Sequence, residues 1–250
     1  MTETHQTTRL RAVGPGNIHL PGERPLVNPW AGESREEVPL PHRSTLRPVR
    51  ICHGIAGEGS IYLEWGSGAD IVKLIASVRG PRQQAVSRSK FEVEVSFAAF
   101  ASLVFEASEF ERDLAQFVKE AIEGFVMMEE YPFSALSVEL KILECGSSLT
   151  CLISPAITAA SLACSKAGIQ MQDEVVSVTL GVTPSGELLV DPEDRFAPLI
   201  PCCTIAMGTK SRRISFMHTS GVLKATDVLE SMMAAADRLT EILRSQIEIN

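Results

Sequence analysis

Apolar and polar residues alternate in four segments of the chain, and this period of two predicts β-strands. The segments are Ser60–Trp65, Asp70–Val78, Phe91–Phe97 and Ala135–Leu143. Asp70–Val78 is the most continuously apolar of the first three, which indicates a buried strand, and Gly80-Pro81 is expected to end it. The first three segments follow one another closely and predict an antiparallel meander.

Two segments carry the 3.6-residue period of amphipathic helices. Ser108 and Glu111 have the spacing of a capping box, and Pro132 prevents continuation of the first helix. Its apolar stripe consists of Phe110, Leu114, Phe117, Val118, Ala121, Ile122 and Phe125. A helix from about Thr226 ends the chain. Its stripe consists of Val228, Leu229, Met232, Met233, Ala236, Leu239, Ile242 and Leu243.

Between these two lies a helix made almost entirely of small residues. Ser154 has the chemistry of an N-cap, Pro155 suits the first helical position, and Gly168 marks the end. Such a helix allows close approach on every side, so we expect it at the centre of the domain. Four more strands are predicted after it: Glu174–Val182, Glu187–Val190, Cys203–Met207 and Arg212–Met217.

These elements predict one α/β domain over residues 46–250, with mixed sheets and a small-residue central helix. Residues 1–45 are rich in proline and lack any strand or helix period, which indicates an irregular N-terminal arm. The first residues lack the apolar core that is typical of a secretory signal. The chain also has no unbroken run of about 18 apolar residues, the length that a membrane-spanning helix needs, so we expect no membrane partner.

The net charge of −8 over 250 residues argues against a protein that binds nucleic acid with its whole surface. A local basic patch is still compatible with that charge. The six cysteines show neither a C-x-x-C pair nor zinc-ligand spacing with the histidines. We therefore expect buried thiols in a reducing, intracellular compartment, and no metal or cofactor.

A basic segment between two predicted strands is the candidate nucleic-acid contact. Arg79, Arg82, Arg88 and Lys90 lie there with no acidic residue among them, on a predicted loop that would present them to phosphates. A solvated basic loop without a ligand explains the same composition equally well. A smaller cluster of Lys210, Arg212 and Arg213 is open to the same two interpretations. No nucleotide-binding, zinc-protease or serine-hydrolase motif is present.

Four segments in the same order as in a known family resemble ribonuclease PH-like proteins. They are Gly59–Arg82 (an early hairpin ending in Gly-Pro), Phe110–Pro132 (a first helix ending in Tyr-Pro), Ile157–Asp173 (a small-residue helix followed by Ala-Gly-Ile-x-Met) and Glu187–Arg195 (Leu-x-Asp-Pro). The resemblance covers about residues 46–245 and implies an α/β fold like that of ribosomal protein S5 domain 2. It also implies a six-membered ring with a central RNA channel.

Active members of this family degrade RNA from its 3′ end with phosphate as the nucleophile. The resemblance implies an arginine pair before the first helix, an arginine in the turn before the central helix, and an aspartate after the Asp-Pro segment. Arginines would hold the attacking phosphate, and the carboxylate would complete the acid–base or metal-assisted step.

This sequence departs from that pattern at all three places. In residues 106–112, the only basic residue is Arg112, and acidic residues flank it on both sides. Residues 142–160 contain no arginine or lysine, and no aspartate or glutamate occurs between Phe196 and Thr226. By position, Pro201, Cys202 or Cys203 replaces the catalytic carboxylate.

The expectation is therefore a catalytically silent ring subunit of the eukaryotic RNA exosome. The resemblance implies other ring subunits, S1/KH-type cap subunits and RNA as partners, and a location in nucleus, nucleolus and cytoplasm. An active phosphorolytic enzyme with a rebuilt site, using Arg112, Asp191 and Asp194, is the first alternative. A free-standing binding module is the second.

Overall fold

The computed structural model describes residues 46–57, 59–83, 89–101, 107–146, 148–194, 196–223 and 225–249. The predicted N-terminal arm, residues 1–45, lies outside the described residues, and so does Arg88. The described part folds into two β-sheets, with a helix between them.

The first sheet has five strands in the order β1-β2-β3-β5-β4. They are β1 (Val49–His53), β2 (Ser60–Trp65), β3 (Val72–Gln83), β4 (Lys90–Phe97) and β5 (Ser134–Glu144). The predicted meander is correct for β2 and β3, which pair antiparallel, and β1, which was not predicted, pairs antiparallel with β2. It is wrong for β4, which pairs parallel with β5, because a helix connects these two strands and returns the chain to run in the same direction.

The strand β3 does not end at Gly80-Pro81, as the sequence predicted, but continues to Gln83. Its pairing with β5 is irregular between Arg79 and Arg82, and a proline that cannot donate to the ladder is tolerated at such an irregularity. Arg79 and Arg82 therefore lie on a strand and not on the predicted loop.

The second sheet is antiparallel, with the strand order β7-β6-β8-β9. Its strands are β6 (Val175–Val182), β7 (Leu188–Val190), β8 (Cys202–Gly208) and β9 (Ile214–Ser220). All four were predicted, with boundaries that differ by one to three residues.

Helix α1 (Ala107–Glu123) contains Ser108 within its first turn, so the predicted capping box is wrong. The Glu111 carboxylate instead accepts a hydrogen bond from the backbone N–H of Phe97 on β4, at 3.0 Å. The Glu111 carboxylate thus accepts its hydrogen bond from a strand amide, and not from the N-cap amide of its own helix as in a capping box.

Helix α2 (Leu149–Lys166) begins six residues before the predicted first position, Pro155, with Ser148 as its N-cap and Pro155 inside it. The Ser154 hydroxyl lies 3.2 Å from that of Ser177 and 3.1 Å from that of Thr179 on β6, so it joins the helix to the sheet rather than capping it. The helix is long and apolar enough to cross a membrane by length and composition. Here it lies between the two sheets, and every residue from Cys151 to Cys164 is buried.

The last helix, α3 (Ala225–Ile249), packs against β6 and β7, and its C-terminal part reaches β1. There the Gln246 side chain accepts a hydrogen bond from the N–H of Ile51 at 3.1 Å and donates one to the carbonyl of Val49. The Gln246 amide therefore makes two of the backbone hydrogen bonds that a neighbouring strand would make at the outer edge of β1.

Candidate functional site

The basic residues singled out from the sequence lie at one end of the first sheet. Arg82 and Lys90 pair with Ala135 of β5 from opposite sides, so two strand spacings, about 10 Å, separate them. Both side chains belong to exposed residues. The structure thus brings Arg82 and Lys90 together, whereas Arg88 lies outside the described residues.

Two of these cations have acidic partners that the sequence segment itself does not contain. Arg79 forms an ion pair of 2.6 Å with Glu139 on β5, and Lys90 forms one with Glu92 two residues along β4. Because these glutamates neutralise part of the charge, Arg82 is the best described candidate for a phosphate contact in this segment. The assignment of these four residues to RNA stays a prediction.

In the second basic cluster, Lys210, Arg212 and Arg213, two of the three side chains make contacts within the chain. Arg212 pairs with Asp237 of α3 at 2.6 Å. The Arg213 guanidinium donates to the carbonyl of Gly124 at 2.9 Å and lies 4.6 Å from the centre of the Phe125 ring. Within the described part of the chain, Lys210 alone of these three residues makes no side-chain contact of this kind, so this cluster fits the structural interpretation better.

The turn before α2, where the family resemblance places a phosphate-binding arginine, contacts an acidic side chain. The Asp194 carboxylate accepts a hydrogen bond from the backbone N–H of Ser148 at 2.6 Å. A Cβ on Gly146 would lie 2.5 Å or less from that carboxylate. A helix N-terminus attracts anions, and here the chain supplies the anion itself.

The segment in which the resemblance implies a catalytic carboxylate, at Pro201, Cys202 or Cys203, is mostly buried and carries no charge. Cys202 begins β8, is fully buried, and belongs to a small second core with Cys151, Leu189, Ala197 and Ile200. Burial raises the pKa of the Cys202 thiol to about 12, with the Cys203 neighbour adding to the effect and a hydrogen bond with Ser220 opposing it. Burial also raises the pKa of the Cys203 thiol. Neither sulfur is therefore a thiolate near neutral pH.

Asp191, one of the residues proposed for a rebuilt site, is part of a buried ion pair. Its Oδ1 lies 2.7 Å from Nη2 of Arg47, and its Oδ2 accepts hydrogen bonds from Nε of Arg47 at 2.8 Å and Nε1 of Trp65 at 2.7 Å. Both charged side chains are about 97% buried, with exposures of 2% and 3%. The carboxylate is thus fully engaged in holding the start of the domain against β2.

The structure does not bring Arg112 together with Asp191 and Asp194. Arg112 is exposed on α1, which packs against β4, while Asp191 is bonded to Trp65 of β2. Two strands lie between β4 and β2, which corresponds to about 14 Å. Within the described ranges, no group of three or more metal-ligating side chains could hold a metal ion.

The amino-acid sequence matches a known protein family. A model described as the 3′ exoribonuclease family, domain 1, matches residues 45–170, just over half of the chain. The chain belongs to the 3′ exoribonuclease family. The match spans β1 to the end of α2, including both segments that carry the first two sequence departures.

Members of the 3′ exoribonuclease family in archaea are similar over most of the chain. The exosome complex component Rrp41 of Thermoplasma acidophilum is 26% identical over 220 residues, which cover 81% of this chain and 84% of that protein. The component of the same name from Archaeoglobus fulgidus is 28% identical over 220 residues, covering 81% of each protein. The chain is thus a homologue of ribonuclease PH-like exosome subunits.

Solved structures confirm the predicted ribonuclease PH-like α/β fold. Rice Rrp46 superposes with a TM-score of 0.66 and 20% identity, covering 82% of this chain and 96% of that one. A structure of the Archaeoglobus fulgidus exosome with RNA bound to the active site superposes with a TM-score of 0.61 and 19% sequence identity, covering 79% of this chain and 89% of that one.

Sequence reasoning missed the roles of Arg47 and Asp194. Asp194 had a signal, because it lies in the Asp-Pro segment that the resemblance had already singled out. Arg47 had none, since it lies beside the predicted arm, and its partner Asp191 is 144 residues away in the sequence.

Proposed function

We propose that this chain is a non-catalytic subunit of the six-membered ring of ribonuclease PH-like proteins in the RNA exosome. In that role it builds the ring and helps guide RNA through the central channel during 3′-to-5′ processing and degradation. Its direct partners are other ring subunits and RNA, with S1/KH-type cap subunits above the ring. Nucleus, nucleolus and cytoplasm are the proposed locations.

The observation that carries the proposal is the apolar cluster around Cys202 at the place of the family's acid. The described residues of that cluster include no carboxylate, so the cluster itself offers neither an acid nor an acidic metal ligand. The turn before α2 adds to this, because the Asp194 carboxylate would repel a phosphate dianion. Losing one such group typically costs about 3 to 4 kcal/mol of transition-state stabilisation, and here several are absent.

Within the ring, we assign the chain to the subunit first named for an mRNA-transport defect. The support is the similarity of residues 111–123 on α1 and of the Leu-Leu-Val-Asp-Pro stretch at residues 188–192. The relatives named above carry the exosome assignment and do not distinguish among ring paralogues.

The test is a phosphorolysis assay on the purified chain, and on the ring assembled with its paralogues. Labelled RNA is incubated with inorganic phosphate, and release of nucleoside diphosphate is measured. We expect no release from the isolated chain above that of a phosphate-free control. Release that disappears in Arg112→Ala or Asp194→Ala would instead support the active enzyme with a rebuilt site. A stable monomer that co-purifies with no paralogue would contradict ring membership.

A further inference from the structure

The two sheets end in edge strands that are protected to very different degrees. An unprotected edge offers a row of backbone donors and acceptors to another strand. The edge of β1 is covered by Gln246 of α3. The edge strand β4 carries the charged residues Lys90, Glu92 and Glu94, which discourage strand pairing, and β7 has only three residues.

Among the described residues, none of these protections lies along the outer edge of β9, although Phe117 of α1 contacts the rings of Phe216 and His218 on this strand. No charged residue occurs between Ile214 and Leu223. Ile214, Met217 and Val222 are exposed by 39%, 46% and 97%. Burial lowers the pKa of His218, so this residue is also uncharged near neutral pH. An uncharged edge strand of seven residues with two exposed large apolar side chains, Ile214 and Met217, is the kind that natural proteins otherwise avoid leaving open.

A small groove lies beside this edge. It has a volume of about 300 Å³ and is lined by Cys203, Met217, Thr219, Val222 and Val228, among others. Gly221 also lines this groove. Its φ is +109°, and a Cβ added at Gly221 would lie 2.9 Å from the Cβ of Pro201. The turn that presents Val222 is therefore restricted to glycine at this position.

We propose that β9 is a strand-addition interface, which takes an extended, uncharged segment of a neighbouring ribonuclease PH-like subunit. One apolar side chain of that segment would enter the groove beside Met217 and Val222. This identification of the partner rests on the proposed function, whereas the edge itself follows from the structure.

The chemistry of the edge selects this partner over others. Only another extended backbone can satisfy a row of strand donors and acceptors, which a docked helix leaves unpaired. RNA needs positive charge, and β9 has none, while the nearby Arg212 and Arg213 are engaged with Asp237 and Gly124. An apolar strand fits both the backbone and the exposed side chains.

The experiment introduces charge at the edge and measures assembly with the co-expressed ring paralogues. The test variant is Met217→Lys with Val222→Lys. The matched control is Ile55→Lys, the same kind of change at a residue 57% exposed in the turn between β1 and β2. Circular dichroism and thermal melting of each purified chain verify folding, and native mass spectrometry measures assembly. We expect the test variant to bind one neighbour at least tenfold more weakly and the control to assemble like the unmodified chain.

Hydrogen exchange on the unmodified chain provides a second measurement that does not depend on any variant. Backbone amides of β9 should exchange more slowly in the ring than in the isolated chain. Unchanged exchange at β9 in an assembled ring would overturn the inference and leave ring membership intact. Protection of β9 by a second copy of this chain would overturn the choice of partner. Absence of any assembly with paralogues would overturn the proposed function itself.

Discussion

At the scale of single residues, two buried carboxylates, Asp191 and Asp173, hold distant parts of the fold together. Asp191 and Arg47 form an ion pair with only 3% of either residue exposed, and Trp65 donates to the same carboxylate. Removing one partner of such a pair typically costs about 3 to 5 kcal/mol, because the other charge stays buried and unpaired. The Asp-Pro segment therefore acts as a structural link between the second sheet and the first residues of the domain.

Asp173 plays a comparable part at the turn between β8 and β9. Its carboxylate accepts hydrogen bonds from the N–H groups of Lys210 and Ser211, at 2.9 and 2.7 Å, and from the Thr209 hydroxyl at 3.0 Å. Burial alone would raise the pKa of Asp173, but the hydrogen bonds from Ser211, Lys210 and Thr209 outweigh it and hold that pKa below its ordinary value.

Replacing this carboxylate should therefore destabilise the fold in a pH-dependent way. We expect Asp173→Asn to lower the free energy of unfolding by about 2 kcal/mol at pH 7, since an amide cannot accept all these bonds. Because the folded pKa is depressed, the unfolded chain binds more protons in acid. The contribution is fully present above the ordinary carboxyl pKa of about 3.9 and is lost as pH falls through the folded value.

Urea unfolding of both proteins between pH 7 and pH 3 measures this difference. The gap between them should narrow below about pH 4. Asp113→Asn, at an exposed position on α1, is the matched control and should show no such gap. A constant difference across the whole pH range would contradict the role assigned to the Asp173 charge.

At the scale of elements, the central helix α2 owes its position to small side chains and to hydroxyl groups. Its alanines allow both sheets to approach closely, and Ala159, Ala160 and Ala163 are fully buried. Its hydroxyls satisfy buried polar groups of β6: Ser161 accepts from the N–H of Val175 at 2.7 Å, and Thr158 from that of Ser177 at 3.2 Å. An apolar helix with these hydroxyls can thus pack on a sheet without leaving polar atoms unpaired.

A larger side chain in this helix should be poorly tolerated. We expect Ala160→Leu to lower the free energy of unfolding by about 1 to 3 kcal/mol, since the extra atoms have no space between the sheets. Ser165→Leu adds a similar volume at an exposed position of the same helix and serves as the control. Thermal melting of the three proteins tests this, and equal melting temperatures would contradict a close-packed centre.

At the scale of the whole molecule, a net charge of −8 requires any RNA contact to be local. The pairs Arg79–Glu139 and Lys90–Glu92 neutralise part of the basic segment. Arg82 is exposed on β3, and no acidic partner accompanies it among the described residues. The proposed channel contact therefore depends mainly on Arg82 and on Arg88.

Charge reversal at these two residues should weaken RNA binding by the assembled ring without affecting assembly. We expect Arg82→Glu with Arg88→Glu to reduce affinity for single-stranded RNA by about tenfold or more at low salt, and to flatten its salt dependence. Arg50→Glu with Lys166→Glu makes the same change in net charge at exposed positions elsewhere. Filter binding at several salt concentrations measures the effect. Equal weakening by both pairs would show that net charge alone is responsible.

Much of this architecture follows from local patterns in the sequence. Strand alternation located β2, β4 and β5, and the run of small residues predicted a central helix, because both signals depend on side chains that are near one another in the chain. Local signals failed where a distant group competed for the same atoms. Glu111 resembled a cap but bonds to Phe97, and Ser154 resembled an N-cap but bonds to β6.

The sequence by itself determined the family and most of the order of the elements. It also shows that the two segments in which the resemblance implies arginines hold only Arg112, and that no acid occurs where the resemblance implies the aspartate, since these are properties of residue type and order. Only the tertiary structure decided what occupies those positions instead. Asp194 reaches Ser148 across 46 residues, Cys202 packs against Cys151, and Gln246 bonds to the outer edge of β1, whereas in the described part of the chain no comparable contact covers the outer edge of β9. Such contacts depend on which distant segments the packing brings together, and no local pattern specifies that.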